Sequence, residues 1–147
     1  MTTKAGKSFT LANLAAVLLI VGSEAIVVYP RINDFIKNHR LNNAAREVWQ
    51  DMHRARLLAI KEKRTIRVEF DHNSYKVVRV STGEIAIRRN LNVDYPDVSI
   101  STTDVRGRIT FDRTGTAEGN TIAIEIQGPT GTRRFTILAT GKIEGPS

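Results

Sequence analysis

Three histidines, His39, His53 and His72, are the chain's only nitrogen ligands suited to a transition metal, and with no cysteine there is no thiolate to join them and no disulfide framework. His39 and His53 stand fourteen residues apart. If both ride one helix, roughly four turns separate them and they cannot share an ion within one chain. His72 falls in a turn. All three read as surface histidines, and no metal or cofactor is expected. Asp112 and Glu118 flank a glycine-containing turn, but two loop carboxylates without an activated nucleophile do not make an acid–base pair. Gly128-Pro-Thr-Gly131 lacks the lysine and the following helix that a phosphate-cradling loop needs. No catalytic constellation emerges, and the expectation is a protein that is not an enzyme.

The basic residues are the other group with chemical potential. There are 22 Lys and Arg against 15 Asp and Glu, a net +7. Cations gather at Arg54, Arg56, Lys61, Lys63, Arg64 and Arg67, at Arg88-Arg89, at Arg106 with Arg108, and at Arg133-Arg134. Such clusters can hold phosphates, with affinity that falls steeply as salt rises. They serve equally as a solvated basic surface, or attract lipid head groups or an acidic protein.

The elements that would carry these residues differ sharply along the chain. From residue 9 to residue 29 there is no Lys, Arg or Asp, and Lys4 and Lys7 lie upstream. As an α-helix, 21 residues at about 1.5 Å each reach roughly the 30 Å of a bilayer's hydrocarbon core. Asn13, Ser23 and Glu24 make that span marginal, since an acid at mid-membrane costs about 2.5–3.5 kcal/mol on insertion scales. A cleaved secretory signal would want small residues after the apolar run, whereas Val27-Val28-Tyr29-Pro30 is bulky. A buried helix of a soluble domain would need more apolar cover than the following amphipathic segment offers. A helix that sits in a membrane and then packs among copies of itself accounts for both the apolarity and the tolerated polar residues.

Beyond Pro30, apolar residues recur at Ile32, Phe35 and Ile36, then at Leu41, Ala44, Ala45, Val48, Met52, Ala55 and Ala59, the three-and-four spacing of one helix face. Proline can kink a helix without ending it, so one long helix is expected over residues 9–61. Its stripe, with Leu41, Val48, Trp49 and Met52, reads as core that docks a β-domain, not as a cofactor box. After Arg64 the period changes to two: Ile66, Val68 and Phe70 alternate with Arg67 and Glu69, Asp71-His-Asn-Ser74 turns, and 75–80 returns as a hairpin. Further strands are suggested over 84–88, 98–101, 108–111, 121–126 and 133–138, divided by Gly-containing turns. The fold class is α+β, a long N-terminal helix packed on an antiparallel domain of about six or seven strands.

The block Lys7-Ser8-Phe9-Thr10-Leu11-Ala12-Asn13-Leu14, with Gly22 and Pro30 further on, resembles the class III signal and helix of the type IV pilin and pseudopilin superfamily. Ala55-Arg56 with Ala59-Ile60-Lys61 leading into the first strand, Ile109-Thr-Phe111 with Gly115, and a closing strand near Gly141-Lys142-Ile143 resemble its H-type, FimT-like minor pseudopilin branch. The resemblance implies a leader over 1–8, a filament-core helix over 9–30 and a pilin-like periplasmic domain over 31–147. It implies cleavage between Ser8 and Phe9 by prepilin peptidase, N-methylation of Phe9, and a single pass in the bacterial inner membrane. Partners would be other pseudopilins or pilins, reached through Leu11, Asn13, Leu14, Gly22, Glu24 and Pro30, and the inner-membrane assembly platform. Two positions depart from the pattern. Ser8 replaces the glycine before the cut, and Asn13 replaces the glutamate that pairs with a neighbour's terminal amine, which fits a subunit at a filament tip and equally a degenerate member of the family. FimT-like DNA-uptake receptors give the alternative function, nucleic-acid binding through Arg133, Arg134 and Lys142. Their Gly-Arg-x-Arg signature would fall on Gly141-Lys142-Ile143-Glu144, where Glu144 reverses one charge.

Overall fold

The computed structural model of the protein describes residues 11–146. Helix α1 covers Leu11–Glu62 and continues through Pro30. The chain divides between Phe35 and Ile36 into two compact units. In the first, every described residue belongs to α1.

The second unit begins on α1 and continues through eight strands and one short helix. In chain order these are β1 Ile66–Asp71, β2 Ser74–Arg79, β3 Ile85–Asn90, α2 Leu91–Asp94, β4 Ser99–Thr102, β5 Arg108–Phe111, β6 Ile122–Gly128, β7 Gly131–Ile137 and β8 Ile143–Glu144. The eighth strand is the two-residue β8, close to the closing strand that the resemblance implied near Gly141-Lys142-Ile143. They form two antiparallel four-stranded sheets, ordered β3-β2-β1-β5 and β4-β6-β7-β8.

The helix stops where Lys63 takes a left-handed conformation, φ 50°, and Arg64 N–H bonds back to the Ala59 carbonyl at 3.2 Å. That six-to-one bond closes a Schellman-type end, with lysine at the position where glycine costs least. Two residues later β1 begins, and the His72–Asn73 turn returns the chain as β2 in register from Asp71↔Ser74 to Ile66↔Arg79.

Burial follows the two periods. On α1, Leu41, Ala44, Ala45, Val48, Met52, Ala55 and Ala59 are buried. On the strands, Ile66 and Val68, Tyr75 and Val77, Ile109 and Phe111, Ile122, Ile124 and Ile126, and Phe135 and Ile137 face the same core. Four alanines in the stripe let backbone approach backbone. A Cβ placed on Gly128 at the end of β6 would already come within 3.2 Å of Leu41. Each fully buried Leu, Val or Met contributes about 1.5–3 kcal/mol. The stripe docks from Leu41 onward, whereas Ile32, Phe35 and Ile36, read from the same periodicity as part of it, are exposed.

Candidate functional site

Of the residues expected in a filament-core helix, α1 carries Leu14, Gly22, Glu24 and Pro30 within its run, and Leu11 and Asn13 are exposed on it. Ser8 and Phe9 lie outside the described residues. Pro30 removes one backbone donor from the helical ladder, yet the helix does not end there. Leu11 is 87% exposed, Val17 55% and Ile32 52%. Among the described residues no helix is long and apolar enough to cross a membrane.

Where α1 meets the strands, Leu41, Val48 and Met52 supply the apolar contact and Asp51 supplies a polar one. Asp51 is only 1% exposed. Its carboxylate accepts from Tyr75 Oη at 2.8 Å, Arg89 Nε at 3.0 Å and Arg54 Nη1 at 3.1 Å. Arg89 Nε also lies 3.1 Å from Glu47 Oε1, and Tyr95 Oη donates to Glu47 Oε2 at 3.1 Å. One guanidinium on β3 thus holds two carboxylates on successive turns of α1. Burial, reinforced by the Asp51 carboxylate, pushes the Tyr75 hydroxyl far above the ordinary phenol range. Burial and then the bond to Glu47 raise Tyr95 as well, and the bond to Asp51 holds Arg89 charged. These phenols act as donors and not as acids.

A second tie lies one helical turn further on. Arg56 Nε donates to the Gly115 carbonyl at 2.9 Å. Gly115, φ 83°, and Gly141, φ 78°, both need the left-handed region. A Cβ on Gly115 would fall 2.6 Å from Ile60 Cδ1, and one on Gly141 would overlap the Gly115 carbonyl oxygen. Arg56, Ile60, Gly115 and Gly141 are remote in sequence and meet at one place. The glycine of the sought nucleic-acid signature therefore has a packing reason of its own.

The remaining candidates are dispersed. His39 and His72 are exposed; His53 packs edge-on against Trp49, ring centroids 4.4 Å apart, and burial with Arg56 nearby lowers its pKa so that the neutral ring is favoured. Among the described residues no group of three or more His, Cys, Asp or Glu could hold a metal. Asp112 Oδ1 accepts from Thr114 N at 2.8 Å, Thr114 Oγ1 at 2.6 Å and Thr116 N at 3.0 Å. Those bonds, the Thr114 hydroxyl foremost, draw its pKa to about 2 and make it the organiser of the Gly115 turn.

Arg133, Arg134 and Lys142 are not gathered on one face. Arg133 turns toward α1, donating to Asn42 Oδ1 at 2.8 Å and Asn38 Oδ1 at 3.3 Å. Arg134, the next residue on β7, points to the opposite face and pairs with Glu125. Lys142 Nζ lies 3.0 Å from Glu144 Oε1. A neighbouring carboxylate thus answers two of the three cations, and helix amides hold the third.

The family model for type II transport protein GspH matches residues 44–141. The chain belongs to the GspH family. The family match begins on the docking stripe of α1 and ends at Gly141, so it spans both ties and all the residues of the Arg56–Gly115–Gly141 contact. Two crystal structures of the type IV minor pilin FimU of Pseudomonas aeruginosa have the same fold. The form in space group P21 aligns with a TM-score of 0.62 at 18% identity, over 76% of this chain and 91% of that one. The P65 form gives 0.58 at 18% identity, over 71% and 90%. No curated protein is significantly similar to the chain. This GspH-family chain is a minor pseudopilin or pilin subunit, and membership implies assembly with other pilins in a filament.

Asp51 is the site residue that composition conceals, because a carboxylate on a helix usually faces water. A signal existed: Asp51 stands three residues after Val48 and four before Ala55, inside the apolar stripe.

Proposed function

We propose that the chain is a minor pseudopilin positioned at or near the tip of a type II secretion or type IV pilus-like filament, and that it carries out no catalysis. The observation that carries this reading is the contrast along α1. Leu41, Val48 and Met52 are buried within the chain, whereas Leu11, Val17 and Ile32 are exposed on a helix whose apolar side chains call for a non-aqueous partner. On this reading residues 9–30 anchor the protein as a single span in the bacterial inner membrane, and the domain from residue 31 lies in the periplasm. Prepilin peptidase cuts between Ser8 and Phe9 and methylates Phe9, and the assembly platform then extracts the helix into the filament. Asn13, an uncharged residue where a neighbour's amine would seek a carboxylate, supports a terminal position.

Mass spectrometry of the protein recovered from membranes tests the processing: a methylated Phe9 N-terminus is expected, and an intact Met1 overturns it. Because the chain has no cysteine, Val17→Cys is a clean probe of assembly. It is expected to cross-link to a cysteine in the helix of a neighbouring filament subunit, and a Val17→Cys protein that stays uncross-linked in assembled filaments would refute the packing.

A further inference from the structure

The sheet β3-β2-β1-β5 has one apolar side, formed by Ile66, Val68, Val77, Ile109 and Phe111, that faces the core. The pleat sends the intervening residues to the other side. Register places Arg108 of β5 opposite Glu69 of β1, Glu69 opposite Lys76 of β2, and Lys76 opposite Arg88 of β3. At about 4.8 Å per strand this is a row of roughly 14 Å carrying three cations and one anion. The anion is already engaged: Glu69 Oε2 lies 2.8 Å from Lys76 Nζ, a bond that holds its pKa below the usual carboxylate range.

At the β5 end the row opens into a cleft of about 380 Å³. Arg67, Arg106 and Arg108 line it, with Asp104 and Glu118 at its sides and Val105 fully exposed beside it. Arg106 and Arg108 have no carboxylate within ion-pair distance among the described residues. Arg67 comes within 3.8 Å of Glu69, but its Nε is buried with no hydrogen-bond partner. Asp104 is partly occupied, accepting the Arg106 backbone N–H at 3.2 Å. Three guanidiniums therefore line one cleft, only Arg67 among them has a carboxylate within ion-pair distance, and its buried Nε keeps a free donor.

We propose that this cleft docks an acidic segment of a partner protein, whose side-chain carboxylates pair with Arg67, Arg106 and Arg108. Guanidinium is suited to this because its planar fork takes a carboxylate through two parallel hydrogen bonds. A nucleic-acid backbone fits less well. Its unbroken line of phosphates would run against Glu69, Asp104 and Glu118, and the cleft lining contains no aromatic side chain on which a base could stack.

Fluorescence polarisation tests the proposal, using the full chain in detergent micelles and a fluorescein-labelled peptide of alternating Glu and Ser. Binding at low salt, weakened by added salt and absent for the peptide with Gln in place of Glu, is expected. The double variant Arg106→Gln/Arg108→Gln, both on the solvent side, is expected to bind at least about tenfold more weakly with an unchanged melting temperature. Arg106→Lys/Arg108→Lys, which keeps charge and loses the fork, falls between the two. Absence of binding by the native chain, or equal binding by the double variant, overturns the proposal. A single-stranded oligonucleotide that binds more tightly than the peptide, with the same dependence on Arg106 and Arg108, overturns it in favour of nucleic acid. The readout does not depend on Phe9 processing, so its failure and the failure of the filament assignment are separate results.

Discussion

Over residues 41–59 the apolar side of α1 finds its partners inside the chain. Leu41, Val48 and Met52 are fully buried there, and Asp51 and Arg56 add polar ties to three different loops or strands. Over residues 11–36 the same helix leaves Leu11, Val17 and Ile32 exposed. The first of these stretches is stabilised by the domain, and its sequence can be judged by stability. In the second, exposed residues such as Leu11, Val17 and Ile32 are expected to contribute little to the stability of the single chain, and on the proposed reading they are judged by assembly. A continuous helix can thus carry one buried and one exposed apolar stretch, and hydrophobic periodicity alone does not report where one gives way to the other.

Substitutions on either side of that boundary should separate the two. Met52→Ala empties a fully buried site and is expected to cost about 2–5 kcal/mol in urea unfolding of the full chain in detergent. Ile32→Ala should stay within about 0.5 kcal/mol while lowering filament incorporation. Equal stability losses would erase the distinction. Asp51→Ala leaves Tyr75 and the half-exposed Arg89 without their shared acceptor, and a loss of about 2–3 kcal/mol is expected in the same measurement. A neutral Asp51→Ala would show that apolar contact alone holds the strands to α1. Gly141→Ala meets both a left-handed backbone and the Gly115 carbonyl, so at least about 1–2 kcal/mol should go.

The smallest effect is one of pH. Hydrogen bonds hold Asp112 at about 2, below its ordinary 3.8, and hold Glu62, Glu69 and Glu125 below 4.5. Each binds protons less readily folded than unfolded. Their contributions are complete above about pH 5 and are lost as pH falls through the folded values. Asp112→Asn should therefore be less stable than the native chain at pH 6, and the two should converge near pH 2. A difference that persisted unchanged to pH 2 would mean that the turn does not depend on the charge.

Much of this architecture is written locally. The three-and-four spacing from Leu41 to Ala59 and the alternation from Ile66 to Phe70 are short-range signals, and α1, β1 and β2 appear where they indicate. The partition into two sheets is not local, because it depends on which strands meet after long connections, as when β5 pairs with β1. Helix α2 was hidden because its four residues are held by a cap, Asn90 Oδ1 accepting from Asn92 N at 3.1 Å, and by burial of Leu91 instead of by periodicity. Arg133 and Arg134 look like one basic pair in the sequence, although the strand pleat alone sends them apart. The Arg56–Gly115–Gly141 contact could be suspected from its glycines, but its geometry depends on three segments arriving together.

That contact bears on the order in which the chain can mature. Met52 and Val48 wait for strands as distant as β7, and Arg56 waits for a carbonyl seated against Gly141. Ile143, in the last and shortest strand, is itself buried. Until translation has passed that residue, the oily side of the helix has no complete cover. The domain's cover therefore closes only once the whole stretch through Ile143 has been made.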